Sequence, residues 1–250
     1  MGICSVSRPA VFLDRDGVLV EEVYYPPTRE WEAPLRPEDV RLIPEAADAA
    51  RRLGNAGHAL VLISNQAAFA KGKTTLRQLW LVHERFVALL ADNEVRLDAI
   101  FYAYGHPEGV VPHFSGPSLD RKPAPYNVFI AAAQLDLDLS RSWLVGDRAT
   151  DMHCAAAAGL QAIMVANPHH DAADAQPSIM VADLAAAADY VLGRAQTSLN
   201  AAAGIFVEHV HGVPSTTCAV DEPGRRTVWT AAGTNGMRRR LSTGTWTRAR

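Results

Sequence analysis

From residue 10 to about 194, short apolar runs alternate with stretches whose apolar residues recur every three to four positions. The run AVFLD, Ala10 to Asp14, is stopped by charge and then by Gly17, which predicts a buried strand. Pro44 to Leu53 is Ala-rich with one apolar stripe, and Gly54 and Gly57 follow as stop signals, so a helix is predicted. ALVLIS, Ala59 to Ser64, is the clearest strand. Thr74 to Leu90 carries Leu76, Leu79, Trp80, His83, Phe86, Val87 and Leu90 at helical spacing. A third strand, Ala99 to Tyr104, precedes a loop running to Pro125. A helix over Tyr126 to Leu135, a strand at Trp143 to Val145, a helix over Thr150 to Ala158, a strand at Ala162 to Ala166 and a helix over Ala182 to Leu192 complete the series.

Strands alternating with helices predict an α/β fold, a Rossmann-like parallel sheet with helices on both faces. In such sheets ligands bind at the carboxyl ends of the strands, near the point where strand order reverses. The predicted domain spans residues 8–194. The remainder, 195–250, is rich in Thr, Gly and Arg, and two pieces, Gly204 to Val213 and Arg226 to Gly233, have the composition of a small hairpin. This C-terminal extension is either a packed appendage or a disordered tail, ending in the basic RRRLSTGTWTRAR.

Composition narrows the function classes. A formal net charge of -3 gives no electrostatic reason to expect nucleic acid or an anionic membrane as partner. No apolar run approaches the roughly 20 residues of a membrane span. The N-terminus lacks the layout of a secretory signal, and Val6 breaks the myristoylation pattern. Cys4, Cys154 and Cys218 are odd in number and scattered, which suits a reducing cytoplasm and not a disulfide framework.

Four polar constellations then stand out. Asp14-Arg15-Asp16-Gly17 ends the first strand. Its two carboxylates can serve one centre, one attacking phosphorus and the other moving a proton. Alone, DxDG is better read as a charged turn. Ser64-Asn65-Gln66 closes the ALVLIS strand and offers a hydroxyl and amides to a phosphate, or simply a turn. Lys122, in Arg121-Lys122-Pro123, is a cation beside a stiffened turn, able to neutralise charge built up in a transition state. Asp147 and Asp151, four apart at the start of a helix, share a face and suit Mg²⁺, or cap the helix. AFAKGKTT resembles a P-loop but has Ala67 where glycine is required, so Lys71 and Lys73 are read as loop charges.

The order of the four constellations resembles the haloacid-dehalogenase superfamily of phosphotransferases over residues 8 to 194: FLDRDGVL, ISNQ, the lysine of RKP, and GDRATD. The resemblance implies that Asp14 is the nucleophile, Asp16 the acid/base and Lys122 the charge stabiliser. It also implies that Ser64 and Asn65 hold the phosphoryl group. Mg²⁺ would lie between Asp14, the carbonyl of Asp16 and Asp147, with Asp151 in support. DRDG, SNQ, GHPEG and RKPAP are most similar to the subgroup that holds heptose-bisphosphate and histidinol phosphatases, where Arg121 would contact the non-reacting part of the substrate. The segments between motifs are too short for a large cap domain.

One departure is clear. Many members of that subgroup carry a zinc loop, whereas the ligand positions here are Ala103, Gly105, Ser118 and Asp120, so no zinc is expected. The substrate that the resemblance implies is a small phosphorylated metabolite, a sugar phosphate of the heptose-bisphosphate kind, and this loop is where the substrate would be recognised. Histidinol phosphate and a nucleic-acid 3′-phosphate are the alternatives within the fold. An idle domain used for partner binding is the alternative of another class.

Overall fold

The computed structural model describes residues 7–170, 172, 174–202, 205–208, 216–222 and 225–230. In chain order the elements are β1 (Ala10–Leu13), β2 (Val23–Tyr25), β3 (Glu30–Glu32), α1 (Ala46–Asn55), β4 (Ala59–Asn65), α2 (Leu76–Asp92), β5 (Ala99–Ala103), α3 (Tyr126–Leu135), β6 (Trp143–Gly146), α4 (Ala149–Ala158), β7 (Gln161–Val165), β8 (Ile179–Val181) and α5 (Leu184–Ala202). Three further strands follow: β9 (Ile205–Glu208), β10 (Thr216–Glu222) and β11 (Arg225–Thr230).

Six strands form one parallel sheet in the order β5-β4-β1-β6-β7-β8. β1 lies at its centre, with Phe12 beside Val61 on one side and Leu144 on the other. All four of its residues are apolar and buried, as a strand covered on both faces requires. On one face Phe12, Val61, Ile63, Leu144 and Met164 pack against Val128 and Ala131 of α3 and Met152, Ala155 and Ala158 of α4. The alternate residues Val11, Leu13, Leu62 and Ile163 are equally buried, so both faces are covered. Each fully buried side chain of this size contributes about 1.5–3 kcal/mol.

Helix α2 starts where Thr75 accepts the backbone N–H of Gln78 at 3.1 Å, a capping contact that satisfies one otherwise unpaired donor. Its buried stripe is Leu79, Val82, Phe86 and Leu90, narrower than the predicted one. Leu76, Trp80 and Val87 face outward, with Trp80 57% exposed. Two features are absent from the sequence reading, the β2–β3 hairpin and β8. Each strand has three residues, too few to display a period of two. Helix α5 also runs past the predicted stop at Leu192 to Ala202.

Between β1 and α1 the chain holds only the small hairpin and a 3-10 turn at Pro37–Asp39, and between β5 and α3 only a loop, so neither interval carries a cap domain. Among the described residues no helix is long and apolar enough to cross a membrane.

The chain divides into two compact units, Met1–Asp189 and Tyr190–Arg250. In the second, β11, β10 and β9 form an antiparallel sheet in that order, so a strand not read in the sequence lies between the two hairpin pieces. The basic terminus RRRLSTGTWTRAR lies outside the described residues.

Candidate active site

The strand order reverses at β1: the chain steps through β4 and β5 on one side and β6, β7 and β8 on the other. Asp14 follows β1, Ser64 and Asn65 end β4, and Asp147 follows β6, so three neighbouring strands deliver these groups to one crevice. Two glycines permit the crowding. Gly17 has φ +76, and a Cβ there would run into the Asp147 carboxylate; a Cβ at Gly146 would run into Asp151.

Lys122 joins them from the loop before α3. Its ammonium lies 3.0 Å from Asp14 Oδ2 and 2.6 Å from Asp151 Oδ1, and donates to the carbonyl of Ile63 at 2.8 Å. The side chain is only 4% exposed. Burial works against its charge, but Asp14 and Asp151 together hold it above the ordinary lysine value. The lysine is aimed by Asn65, whose amide oxygen accepts the Lys122 backbone N–H at 3.0 Å and whose amide nitrogen donates to the Lys122 carbonyl at 3.1 Å. The Asn65 side chain is thus engaged with the backbone of Lys122. Ser64, on the same strand end, accepts from Gln66 Nε2 at 3.0 Å.

Asp14, Asp147 and Asp151 bring one oxygen each within 4.8 Å of one another. Asp151 is already committed to Lys122 and to the backbone N–H of Arg148, at 3.1 Å. Asp147 is fully buried, accepts from Asn167 Nδ2 at 2.7 Å through Oδ2, and has no hydrogen-bond partner at Oδ1. A buried carboxylate oxygen that accepts no hydrogen bond, 3.9 Å from the Arg148 guanidinium and beside a second carboxylate, fits a hard divalent cation such as Mg²⁺. The carboxylates outnumber the one ammonium between them.

The Asp147 carboxyl is pushed up to about 8, first by burial and then by Asp14 and Asp151. An unfolded carboxyl titrates near 3.9, so the folded chain keeps a proton that the unfolded chain releases. The stability this group supplies is full below about pH 4 and is lost as pH rises through about 8. In EDTA the melting temperature should therefore fall as pH rises from about 4 to about 8 and level off above that, with the stretch from about pH 6 to 8 lying above the range of ordinary carboxylates. Added Mg²⁺ should remove most of that fall by replacing the proton. Thermal melts with and without the cation check both signs, and equal slopes would contradict the argument.

The Asp16 side chain lines the same crevice and is held by a separate set of contacts. Arg15 donates to it twice, Nε to Oδ1 at 2.9 Å and Nη2 to Oδ2 at 3.2 Å, and Gln66 Nε2 donates to Oδ2 at 2.6 Å. The Asp16 backbone carbonyl is the atom that the family resemblance implies for Mg²⁺. Glu22 forms a further set that the sequence does not reveal. It accepts from Arg148 Nη2 at 2.7 Å and Asn167 Nδ2 at 3.2 Å, with His170 Nε2 at 2.8 Å. Asn167 bridges Glu22 to Asp147. No local spacing ties Glu22, Asn167 and His170, since the first precedes β2 and the others follow β7.

These groups open on a cavity of about 430 Å³ lined by Asp14, Asp16, Ser64, Lys71, Arg121, Lys122 and Arg148. Arg121 hydrogen-bonds the carbonyl of Gly105 at 3.3 Å. Its guanidinium is weakened as a base first by burial and then by the nearby Arg148, so two guanidiniums converge on the cavity. In the P-loop look-alike, Lys73 is paired with Glu30 and Glu32 of the hairpin, at 2.7 and 2.9 Å.

Known proteins share this arrangement of sequence and fold. A family model described as HAD-hydrolase-like matches residues 119–188. The chain is 40% identical over 195 residues to the D-glycero-D-manno-heptose-1,7-bisphosphate 7-phosphatase of Thermosynechococcus vestitus, covering 74% of this chain and 95% of the relative. It is 38% identical over 154 residues to the D-glycero-beta-D-manno-heptose-1,7-bisphosphate 7-phosphatase of Salmonella typhi, covering 62% and 78%. The fold is similar to the crystal structure of D,D-heptose 1,7-bisphosphate phosphatase from B. bronchiseptica complexed with magnesium and phosphate. There the TM-score is 0.57 at 25% identity, over 74% of this chain and 99% of that one. With the parallel sheet, the motif order and these relatives in agreement, the chain belongs to the haloacid-dehalogenase-like phosphatases.

Proposed function

We propose that this phosphatase removes one phosphate from a sugar bisphosphate of the D-glycero-D-manno-heptose 1,7-bisphosphate kind, with Asp14 as nucleophile. The observation that carries the reading is the meeting of Asp14, Lys122 and the Asp147 oxygen that accepts no hydrogen bond at the carboxyl end of β1. Asp14 attacks phosphorus, and the bond from phosphorus to the sugar oxygen breaks as Asp16 gives that oxygen its proton. Water then attacks the aspartyl-phosphate, returns a proton to Asp16 and releases inorganic phosphate with Asp14 restored. Lys122 balances the charge on the phosphoryl oxygens, and Ser64 with the β4 end borders them. Asp14, the carbonyl of Asp16 and Asp147 would hold Mg²⁺, which when bound neutralises phosphoryl charge.

The converging Arg121 and Arg148 favour a substrate with a second anionic group. Histidinol phosphate lacks one, which places it behind a bisphosphate. The loop from Gly105 to Arg121 is read as working without zinc. It closes on itself through His106 N–H to the Phe114 carbonyl at 3.0 Å and a Ser118–Asp120 hydrogen bond, and Phe114 makes an edge contact with Phe69 of the segment after β4, centroids 4.9 Å apart.

Phosphate release should be measured on heptose 1,7-bisphosphate, histidinol phosphate and a 3′-phosphorylated oligonucleotide, with Mg²⁺ and with EDTA. The heptose bisphosphate is expected to be fastest, with activity lost in EDTA and restored by Mg²⁺, and metal analysis is expected to find no stoichiometric zinc. Equal turnover in EDTA would overturn the magnesium assignment, and preference for another member of the panel would overturn the substrate.

A further inference from the structure

Arg15 stands between the two carboxylates of the first motif and is 2% exposed, among the largest fully buried side chains in the chain. A guanidinium loses heavily on leaving water unless its donors are satisfied. Here the fork of Arg15 grips both oxygens of Asp16, and its Nη2 also donates to Gln66 Oε1 at 2.7 Å. Gln66 closes the ring through Nε2, donating to Asp16 Oδ2 at 2.6 Å and to Ser64 Oγ at 3.0 Å. From outside the ring, Tyr102 presents its face to the guanidinium, 5.7 Å from the ring centroid. Burial fixes each of these donors, so the Asp16 carboxyl has little freedom to turn.

We propose that Arg15 and Gln66 are positioning residues that set the direction in which the Asp16 carboxyl exchanges a proton with the leaving oxygen. The inference rests on Asp16 being the acid/base, as read above. A role confined to packing or to general electrostatics slows every substrate alike. Positioning of an acid has a different signature. A basic leaving oxygen needs its proton in the transition state and an acidic one does not, so the loss grows with the basicity of the leaving group.

The test is the single-turnover rate of phosphoryl transfer to the enzyme, across monoesters graded from 2,4-dinitrophenyl phosphate to an alkyl phosphate. Wild type is compared with Asp16→Asn, Arg15→Lys and Gln66→Met. Arg15→Lys keeps charge but loses the planar fork. Gln66→Met keeps the shape and removes the amide, and carries the test alone if the lysine variant does not fold. Both are expected to lose roughly 10- to 10²-fold on the alkyl ester, within the range of acid catalysis, and several times less on the dinitrophenyl ester. Uniform losses, or none, with Asp16→Asn still steepening the dependence, would overturn the inference alone. If Asp16→Asn leaves the dependence unchanged, the acid/base reading of Asp16 fails and the inference falls with it.

Discussion

Asp14→Asn is expected to lower turnover by on the order of 10⁴-fold or more, the scale of loss when a covalent nucleophile is deleted. Asparagine has the shape of aspartate, and Oδ1 can still accept the backbone N–H of Arg15, which lies at 2.7 Å in the native chain. What disappears is the carboxylate oxygen that would bond to phosphorus. The stability change should have the opposite sign from most buried substitutions. Asp14, Asp147 and Asp151 crowd one ammonium, and two of the three carboxyls are pushed upward by that crowding and by burial. Removing one negative charge relieves the repulsion, so the metal-free variant should melt no lower than wild type. Mg²⁺ should raise its melting temperature less than it raises that of wild type. Steady-state phosphate release and melts with and without Mg²⁺ check the pair of outcomes. Retained activity would remove Asp14 from the nucleophile's place.

Lys122→Met is expected to damage both fold and function. The ammonium pairs with two buried carboxylates and fills the acceptor at Ile63. Removing one member of a buried ion pair costs about 3–5 kcal/mol, because the remaining charge stays buried without compensation. For a chain of this size that corresponds to a fall in melting temperature on the order of 10 °C. On the proposed role of Lys122, loss of the charge that would face the phosphoryl group should cost a further 10²- to 10³-fold in turnover, roughly the value of one electrostatic contact in such sites. Since the missing charge leaves the cluster more negative, Mg²⁺ should recover part of the stability and little of the activity. Melting and turnover measured on the same preparation separate the two effects. A variant with native stability would show that Lys122 does not hold the two carboxylates in the fold.

These two residues were visible before the structure because each stands in a short motif at a predicted strand or loop end. The pattern also located five of the six strands of the parallel sheet, as apolar runs, and the five α-helices, most of them by their apolar repeat. Other parts were hidden for identifiable reasons. Arg15 looks like one charge of an exposed turn, yet the turn folds it inward beneath Gln66 and Tyr102. Asn65 sits in a motif read as a phosphate cradle, but its side chain is used on the backbone of Lys122, 57 residues away. Glu22 has no local signal; its partners Arg148, Asn167 and His170 come from two other strand ends.

From its sequence alone, the alternation of apolar runs and amphipathic stretches determined a parallel α/β sheet. The order of DxDG, the β4 end, a lysine and GDRATD determined which residues meet at its carboxyl edge. Both are legible along the chain, since the periods of strand and helix and the turn residues that end them are local properties. Which way each side chain points once it arrives was decided only by the tertiary structure. Burial removes water as a partner, so every charged group near the centre must find its counterpart in whatever strand end lies beside it. That is why Asp16 is held by Arg15 and Gln66, why Lys122 is shared between Asp14 and Asp151, and why Asp147 leans on Asn167 from the neighbouring strand end.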